Sequence, residues 1–212
     1  MLLNLQQIIV KAGQQMLIKD LNWQQLENIL EEIGEKRAAR ISYSYGWLEI
    51  MVPLPEHEKD KEYIGELVRI LLDKLQIDFE PFGSTTLKNE RMQQAVEPDT
   101  SFYITNQAAI IGKNRIDLNI DPPPDLAIEI DITSRTRFEN YEILGVPELW
   151  RHTQQGLEIS LLEQGKYIKS ESSPNFPNIP IVELVNEYVQ QCLTIGRSQA
   201  MRNFRDWVKN NL

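Results

Sequence analysis

Residues 125–132 read DLAIEIDI, the clearest strand pattern in this chain. The apolar residues Leu126, Ile128, Ile130 and Ile132 alternate with Asp125, Ala127, Glu129 and Asp131. Because successive side chains of a strand point to opposite faces, the alternation predicts a β-strand with one apolar and one mostly acidic face. Carboxylates buried without partners are costly, so the acidic face must meet solvent, a cation or basic side chains. Taken alone, this strand favours the simpler interpretation, an edge strand whose polar face is solvated.

The segments around this strand predict a mixture of helices and short strands. Apolar residues at helical spacing, such as Ile64, Leu67 and Leu71, predict a helix over residues 57–75. Further helices are predicted at 22–33, ended by Gly34, and at 137–144, 181–192 and 197–209. Strands are predicted at 39–45, 47–52, 77–81, 85–88, 100–105, 148–152, 157–162 and 166–170.

These elements indicate an α/β protein of the α+β type, with a mixed, mainly antiparallel central sheet flanked by helices. No segment resembles a linker, so we expect one domain over residues 1–212, with C-terminal helices at about 181–210 packed on it. Trp47, Trp150 and Tyr141 are expected in the core, although Tyr141 could also line a groove. His152 is expected at the surface.

Composition limits the possible functions. The net charge is −9, which disfavours nonspecific nucleic-acid binding but leaves room for a small basic groove. Cys192 is the only cysteine, so an intrachain disulfide and a cysteine-based zinc site are excluded. No apolar run is long enough for a membrane span, and the N-terminal residues lack the pattern of a signal peptide. We therefore expect a cytoplasmic protein without membrane contact.

A second acidic residue lies near the start of another predicted strand. In EPDTSFYI, residues 97–104, Pro98 precedes Asp99 directly before that strand. A carboxylate at a strand start and Glu129 on a neighbouring strand could share one Mg²⁺, which prefers oxygen ligands and keeps several waters. A metal-bound water with a lowered pKa can attack a phosphodiester. Asp99 and Glu129 are therefore the candidate centre of the chemistry.

Five segments in this order resemble the Uma-type family of bacterial restriction endonucleases, within the PD-(D/E)XK nuclease superfamily. They are LEIMVPLPEHEKDKEYIGELV (48–68), GSTTLKNE (83–90), EPDTSFYI (97–104), PPPDLAIEIDITS (122–134) and NYEILGVPELWR (140–151). The resemblance runs through nearly the whole chain. It implies a restriction-endonuclease-like fold and hydrolysis of DNA that depends on Mg²⁺, for which Mn²⁺ can substitute.

The resemblance also implies roles for single residues. Pro98-Asp99 matches the PD element, Glu129 matches the D/E position, and the backbone carbonyl of Ile130 completes the metal ligands. Asp131 stands where the family has a lysine that orients the attacking water and stabilises charge on phosphorus. Catalytic residues are therefore expected to be Asp99, Glu129 and Asp131, together with Arg137 and His57.

The missing lysine needs a substitute. Some family members carry it on the following helix, where Arg135 and Arg137 are the nearest basic residues, and Lys88 is a further candidate. An arginine can stabilise a pentavalent phosphate but stays protonated and makes a poor base. The resemblance places His57 near the site, whereas the residues alone also allow a solvated first helical turn.

Two functions stay open at this point. One is a metal-dependent DNA endonuclease, for which a homodimer is expected because double-strand cutters often pair two domains. The other is a catalytically weakened nuclease fold that binds nucleic acid or protein.

Overall fold

The computed structural model describes residues 8–34, 38–131 and 137–212. Its strands are β1 (Gln15–Ile18), β2 (Arg40–Ser44), β3 (Trp47–Met51), β4 (Glu80–Pro81), β5 (Leu87–Asn89), β6 (Gln94–Val96), β7 (Thr100–Tyr103), β8 (Leu126–Asp131), β9 (Glu148–Thr153), β10 (Gly156–Glu163) and β11 (Lys166–Ser170). Its α-helices are α1 (Trp23–Ile33), α2 (Pro55–Leu75), α3 (Phe138–Leu144), α4 (Ile181–Gln191) and α5 (Arg197–Asn211). A π-helical turn, Cys192–Gly196, joins α4 to α5.

The larger sheet has six strands in the order β11-β10-β9-β8-β7-β4. The β8–β9 pair is parallel and the other pairs are antiparallel, with α3 between β8 and β9 in the chain. Helices α2, α4 and α5 pack on one face, where they bury Leu67, Ile128, Ile130 and Trp150 among other core residues. The predicted α+β class, with a mixed central sheet flanked by helices, is confirmed. The solvated-edge reading of residues 125–132 is wrong, since β8 lies between β7 and β9.

A smaller sheet of five antiparallel strands, ordered β1-β3-β2-β6-β5, was not predicted as a separate layer. Its apolar face, which includes Ile41, Tyr43 and Leu48, packs against Leu26 of α1. The opposite face carries Arg40, Ser42 and Glu49, which line a cleft. Strands β1 and β6 were missed because runs of four and three residues are too short to show a period.

Local chemistry explains why several elements lie where the sequence predicted them. Asn22 caps α1 by accepting the Gln25 amide at 2.9 Å, and the Gln25 side chain accepts the Asn22 amide at 2.8 Å. Pro55 occupies the first turn of α2, where its missing N–H costs nothing. Gly46 closes the β2–β3 hairpin at a φ of +88°, a conformation that favours glycine.

Two side chains lie where the sequence did not place them. Trp47 is half exposed, because its neighbours Leu48 and Ile50 alternate with it and face α1. His152 is buried, and its Nδ1 lies 3.6 Å from Asp60 Oδ2 on α2. Trp150 and Tyr141 are fully buried, as expected. No helix in the described ranges combines the length and apolarity needed to cross a membrane.

Candidate active site

The strand register brings Asp99 and Glu129 together. Asp99 directly precedes β7, and the next residue, Thr100, pairs with Ile128 of the antiparallel strand β8. Asp99 Oδ2 accepts a hydrogen bond of 2.8 Å from the backbone N–H of Ile130. Both carboxylates line one cleft, between the polar face of the smaller sheet and the end of β8.

The cleft opens to solvent and holds about 570 Å³ of empty space, its mouth included. Both acidic and basic side chains line it. The residues that line it are Arg40, Ile41, Ser42, Glu49, Met51, Val96, Glu97, Asp99, Glu129, Ile130, Asp131, Arg137, Asn140 and Tyr141. A neighbouring cleft shares Arg40 and Glu97 with it.

Glu129 is an acid of the cleft whose pKa is strongly perturbed. Desolvation of its carboxyl group raises its pKa well above the usual range, and the negative charge of Asp99 raises it further. The Tyr141 hydroxyl donates a hydrogen bond to Glu129 Oε1, which opposes part of this shift. The buried Tyr141 hydroxyl, beside Glu129, has its own pKa raised well above the usual value. A cation between the two carboxylates would relieve their repulsion.

Ile130 contributes its backbone. In a strand, the N–H and C=O of one residue point to the same side, so its carbonyl lies on the edge that faces Asp99. Two carboxylates and a carbonyl are hard oxygen donors that suit Mg²⁺. Among the described residues no three His, Cys, Asp or Glu side chains are arranged to hold an ion. An ion here would therefore keep several waters, as Mg²⁺ does with one or two carboxylates.

Asp131 has a basic neighbour that the sequence analysis missed. Arg151 Nη1 lies 3.7 Å from Asp131 Oδ2, and the same guanidinium forms an ion pair with Glu158. Arg151 is in register with Glu129 on the parallel strand β9, so both side chains emerge on the same face. Its guanidinium also lies 4.9 Å from the ring centre of Phe138, in the first turn of α3. No spacing in the sequence shows that β8 and β9 are parallel neighbours in this register.

A second basic residue that was not predicted, Arg40, lies beside Asp99. Arg40 Nε is 3.6 Å from Asp99 Oδ1, and Arg40 Nη2 donates to Glu58 Oε1 at 3.0 Å. Arg40 reaches Asp99 because β2 contributes its polar face to the cleft. Glu97, two residues before Asp99, has its carboxylate occupied by the Ile41 amide at 3.1 Å and the Thr86 hydroxyl at 2.5 Å.

The three predicted substitutes for the lysine differ in their positions. Arg137 lines the cleft, where its Nη2 lies 3.1 Å from Glu49 Oε2. The suggestion of Lys88 is wrong, since its ammonium group contacts Glu27 of α1 at 2.7 Å and lines the neighbouring cleft. Lys88 is opposite Ala95 in the β5–β6 register, and Ala95 lies on the face of the smaller sheet that packs against α1. Arg135 lies outside the described residues.

His57 is buried in the first turn of α2, so the solvated-turn interpretation is wrong for this side chain. It acts electrostatically on Asp60, which also faces His152. The residues that line the cleft do not include His57 or His152. Because His152 is in register with Ile130, its side chain lies on the face of the sheet opposite to Glu129. The expected role of His57 stays a prediction.

Comparison with known proteins supplies the family. The model of the Uma2 family, described as "Putative restriction endonuclease", matches residues 23–195. No curated protein matches the chain. The chain is also similar to a solved structure described as a putative nuclease belonging to DUF820 from Anabaena variabilis. That similarity has 15% identity and a TM-score of 0.48, and covers 74% of this chain and 90% of the other.

The family match extends from the start of α1 into the turn after α4, and it includes every residue of the cleft. It therefore spans most of the chain, all strands of the larger sheet, and the strands of the smaller sheet except β1. This chain belongs to the Uma2 family.

Proposed function

We propose that the protein is a metal-dependent endonuclease that hydrolyses DNA phosphodiester bonds in the cleft at Asp99 and Glu129. The proposal rests on one observation: the carboxylates of Asp99 and Glu129 both line this open cleft, next to the backbone of Ile130. Membership of a nuclease family supports the same reaction. Mg²⁺ is the proposed ion, with Mn²⁺ as a substitute.

Asp99, Glu129 and the Ile130 carbonyl are the proposed ligands. A divalent ion bound there would lower the pKa of a coordinated water and so supply a nucleophile at neutral pH. The Ile130 amide orients Asp99 through Oδ2, and the Tyr141 hydroxyl orients Glu129 through Oε1. Such outer hydrogen bonds hold ligand carboxylates in place before the ion arrives.

Two arginines replace the functions of the missing lysine: Arg137 contacts the phosphate, and Arg151 offsets the charge of Asp131. The guanidinium of Arg137 is half exposed in the cleft, so it can leave Glu49 and contact a phosphate with two N–H groups. Arg151 faces Asp131 and offsets its charge, so Asp131 does not act as a third uncompensated carboxylate beside the ion. Neither arginine acts as the base, because guanidinium stays protonated.

The alternative is a nuclease fold that binds nucleic acid without cutting it. The aspartate at the lysine position and the net charge of −9 favour this alternative. Binding of Mn²⁺ separates the two functions, since a catalytic site requires the ion and a binding scaffold does not.

The test compares cleavage of a supercoiled plasmid by wild type, Asp99→Asn, Glu129→Gln and the double variant, with Mn²⁺, with Mg²⁺ and with chelator. Wild type should cut only with a divalent ion, and each variant should lose cleavage. Glu62→Gln is the control, because this exposed glutamate of α2 does not line the cleft. Equal cleavage by wild type and the double variant, purified in the same way, would exclude this site. If wild type neither binds Mn²⁺ nor cuts the plasmid, the alternative is favoured.

A further inference from the structure

Two large apolar side chains are exposed at the end of the smaller sheet. Trp47 of β3 is 50% exposed and Leu17 of β1 is 48% exposed. Both lie on the sheet face that lines the cleft. Leu48 and Ile50 point to the opposite face, towards α1, so Trp47 points the same way as Glu49, a residue of the cleft wall. Leu17 is directly opposite Glu49 in the β1–β3 register.

The distance from this apolar corner, Trp47 and Leu17, to the cleft is short. Trp47 and Glu49 are two residues apart on one strand, which corresponds to about 7 Å between their Cα atoms. Glu49 contacts Arg137 at 3.1 Å. An indole ring and a guanidinium are therefore spaced so that one extended molecule can contact both.

An exposed aromatic ring beside a phosphate-binding group is the combination that proteins use for unpaired nucleobases. Bases stack on aromatic faces whatever their identity, while basic side chains hold the backbone. A paired base inside a duplex cannot offer its face in this way. The occupant of the corner is therefore a base that has left the helical stack or lies in a single strand.

A second copy of the chain fits the corner less well. Two half-exposed side chains present roughly 200 Å² of apolar surface, since a large side chain has about 150–250 Å² in total. A stable interface needs about 800 Å² from each partner. The flanking residues on this face include the charged Glu49 and the polar Ser44, which favour a ligand that is partly polar.

We infer that Trp47, supported by Leu17, is a stacking site for an unpaired nucleobase of the strand whose phosphodiester lies in the cleft. The inference rests on the proposed nuclease function and specifies its substrate as DNA with unpaired bases at the cut. Trp47 touches neither the ion nor the scissile phosphate.

The test measures binding without cleavage. The probes are a fluorescein-labelled 20-nucleotide single strand and the matched duplex, followed by fluorescence anisotropy in chelator. Trp47→Ala should weaken single-strand binding roughly 5- to 150-fold, the range that corresponds to loss of one base stack. Duplex binding should change less than twofold, and Trp47→Phe should restore most of the single-strand affinity.

Leu193→Ala is the matched control, because Leu193 is an exposed apolar residue in the π-helical turn, outside the cleft lining. It should bind both probes as wild type does. Unchanged single-strand binding by Trp47→Ala would overturn the inference, and so would an equal loss for both probes. If light scattering showed a lower mass for Trp47→Ala than for wild type while DNA binding was unchanged, the corner would be a contact between two copies of the chain. That result would also overturn the inference.

These outcomes are separate from the nuclease test, because no ion and no cleavage are involved. If wild type cuts DNA and Trp47→Ala binds the single strand normally, the stacking site is wrong and the nuclease proposal stands. If wild type does not cut and Trp47→Ala loses single-strand binding, the nuclease proposal fails while the stacking site stands.

Discussion

Replacing Glu129 by glutamine should stabilise the fold while it abolishes cleavage. Glu129 and Asp99 are neighbouring carboxylates, and burial together with the charge of Asp99 raises the pKa of Glu129 well above its usual range. The ionised form of Glu129 therefore costs stability in the folded protein without an ion. The Glu129→Gln side chain has nearly the same shape and can still accept the Tyr141 hydroxyl. Its new N–H group can donate to Asp99.

The size of the effect follows from two opposing changes. A hydrogen bond to a charged group is worth about 1.5–3 kcal/mol, and the new amide can form one with Asp99. The Tyr141 hydrogen bond changes from a charge-assisted to a neutral one, which loses about 1 kcal/mol. The free energy of unfolding should therefore rise by about 0.5–2 kcal/mol. For a domain of this size, each kcal/mol raises the melting temperature by about 2–4 °C.

The assay is urea unfolding of wild type and Glu129→Gln in chelator at pH 7, followed by circular dichroism. The midpoint should increase with an unchanged slope, which indicates a change in stability and not in the surface exposed on unfolding. Asp99→Asn is a poorer probe, because Asp99 Oδ2 also holds the Ile130 amide.

Glu148→Gln is the control for burial alone. Glu148 is also buried, and burial raises its pKa, but the Trp150 indole and the Asn175 amide donate hydrogen bonds to it, the latter at 2.7 Å. An amide there would turn an N–H group towards a donor, so we expect a loss of about 1–3 kcal/mol. Similar losses in both variants would refute the reasoning, because they would mean that the Asp99–Glu129 contact is not repulsive.

Four further predictions concern the surrounding charges and the ion. Arg151→Met should lower the free energy of unfolding, measured by urea unfolding, by about 2–4 kcal/mol, since it removes the guanidinium that faces the largely buried Asp131. Adding Asp131→Asn to this variant should restore part of the loss. Arg137→Ala should slow single-turnover cleavage about tenfold or more while calorimetry shows unchanged Mn²⁺ affinity, because its proposed partner is the phosphate in the transition state. Plasmid cleavage should be faster in Mn²⁺ than in Mg²⁺, since Mg²⁺ demands a near-ideal octahedron. Burial lowers the pKa of His152, and the charge of Asp60 opposes part of this shift, so the unfolded state binds a proton at higher pH than the folded state does. Wild type should therefore lose stability as the pH falls below about 6.5, the usual pKa of histidine. In thermal melts at several pH values, His152→Gln should lose less stability over the same range.

Local patterns determined most of the secondary structure. The Asn22 cap, the apolar spacing of the helix after Pro55 and the alternation of residues 125–132 each act over a few neighbouring residues, so they are readable in the sequence. The same patterns singled out Asp99 and Glu129. They are a carboxylate before one strand and a carboxylate on the polar face of another, and the β7–β8 register brings them together.

The tertiary structure decided which side chains surround that pair. Periodicity shows which face of a strand is apolar, but it does not show which strand lies beside it. Arg151 faces the acidic cluster because β9 is a parallel neighbour of β8, and Arg40 reaches it because β2 belongs to a second sheet that closes the cleft. For the same reason Lys88 faces α1 and Trp47 is exposed. Strand neighbours depend on packing between distant segments of the chain, and no local rule specifies that packing.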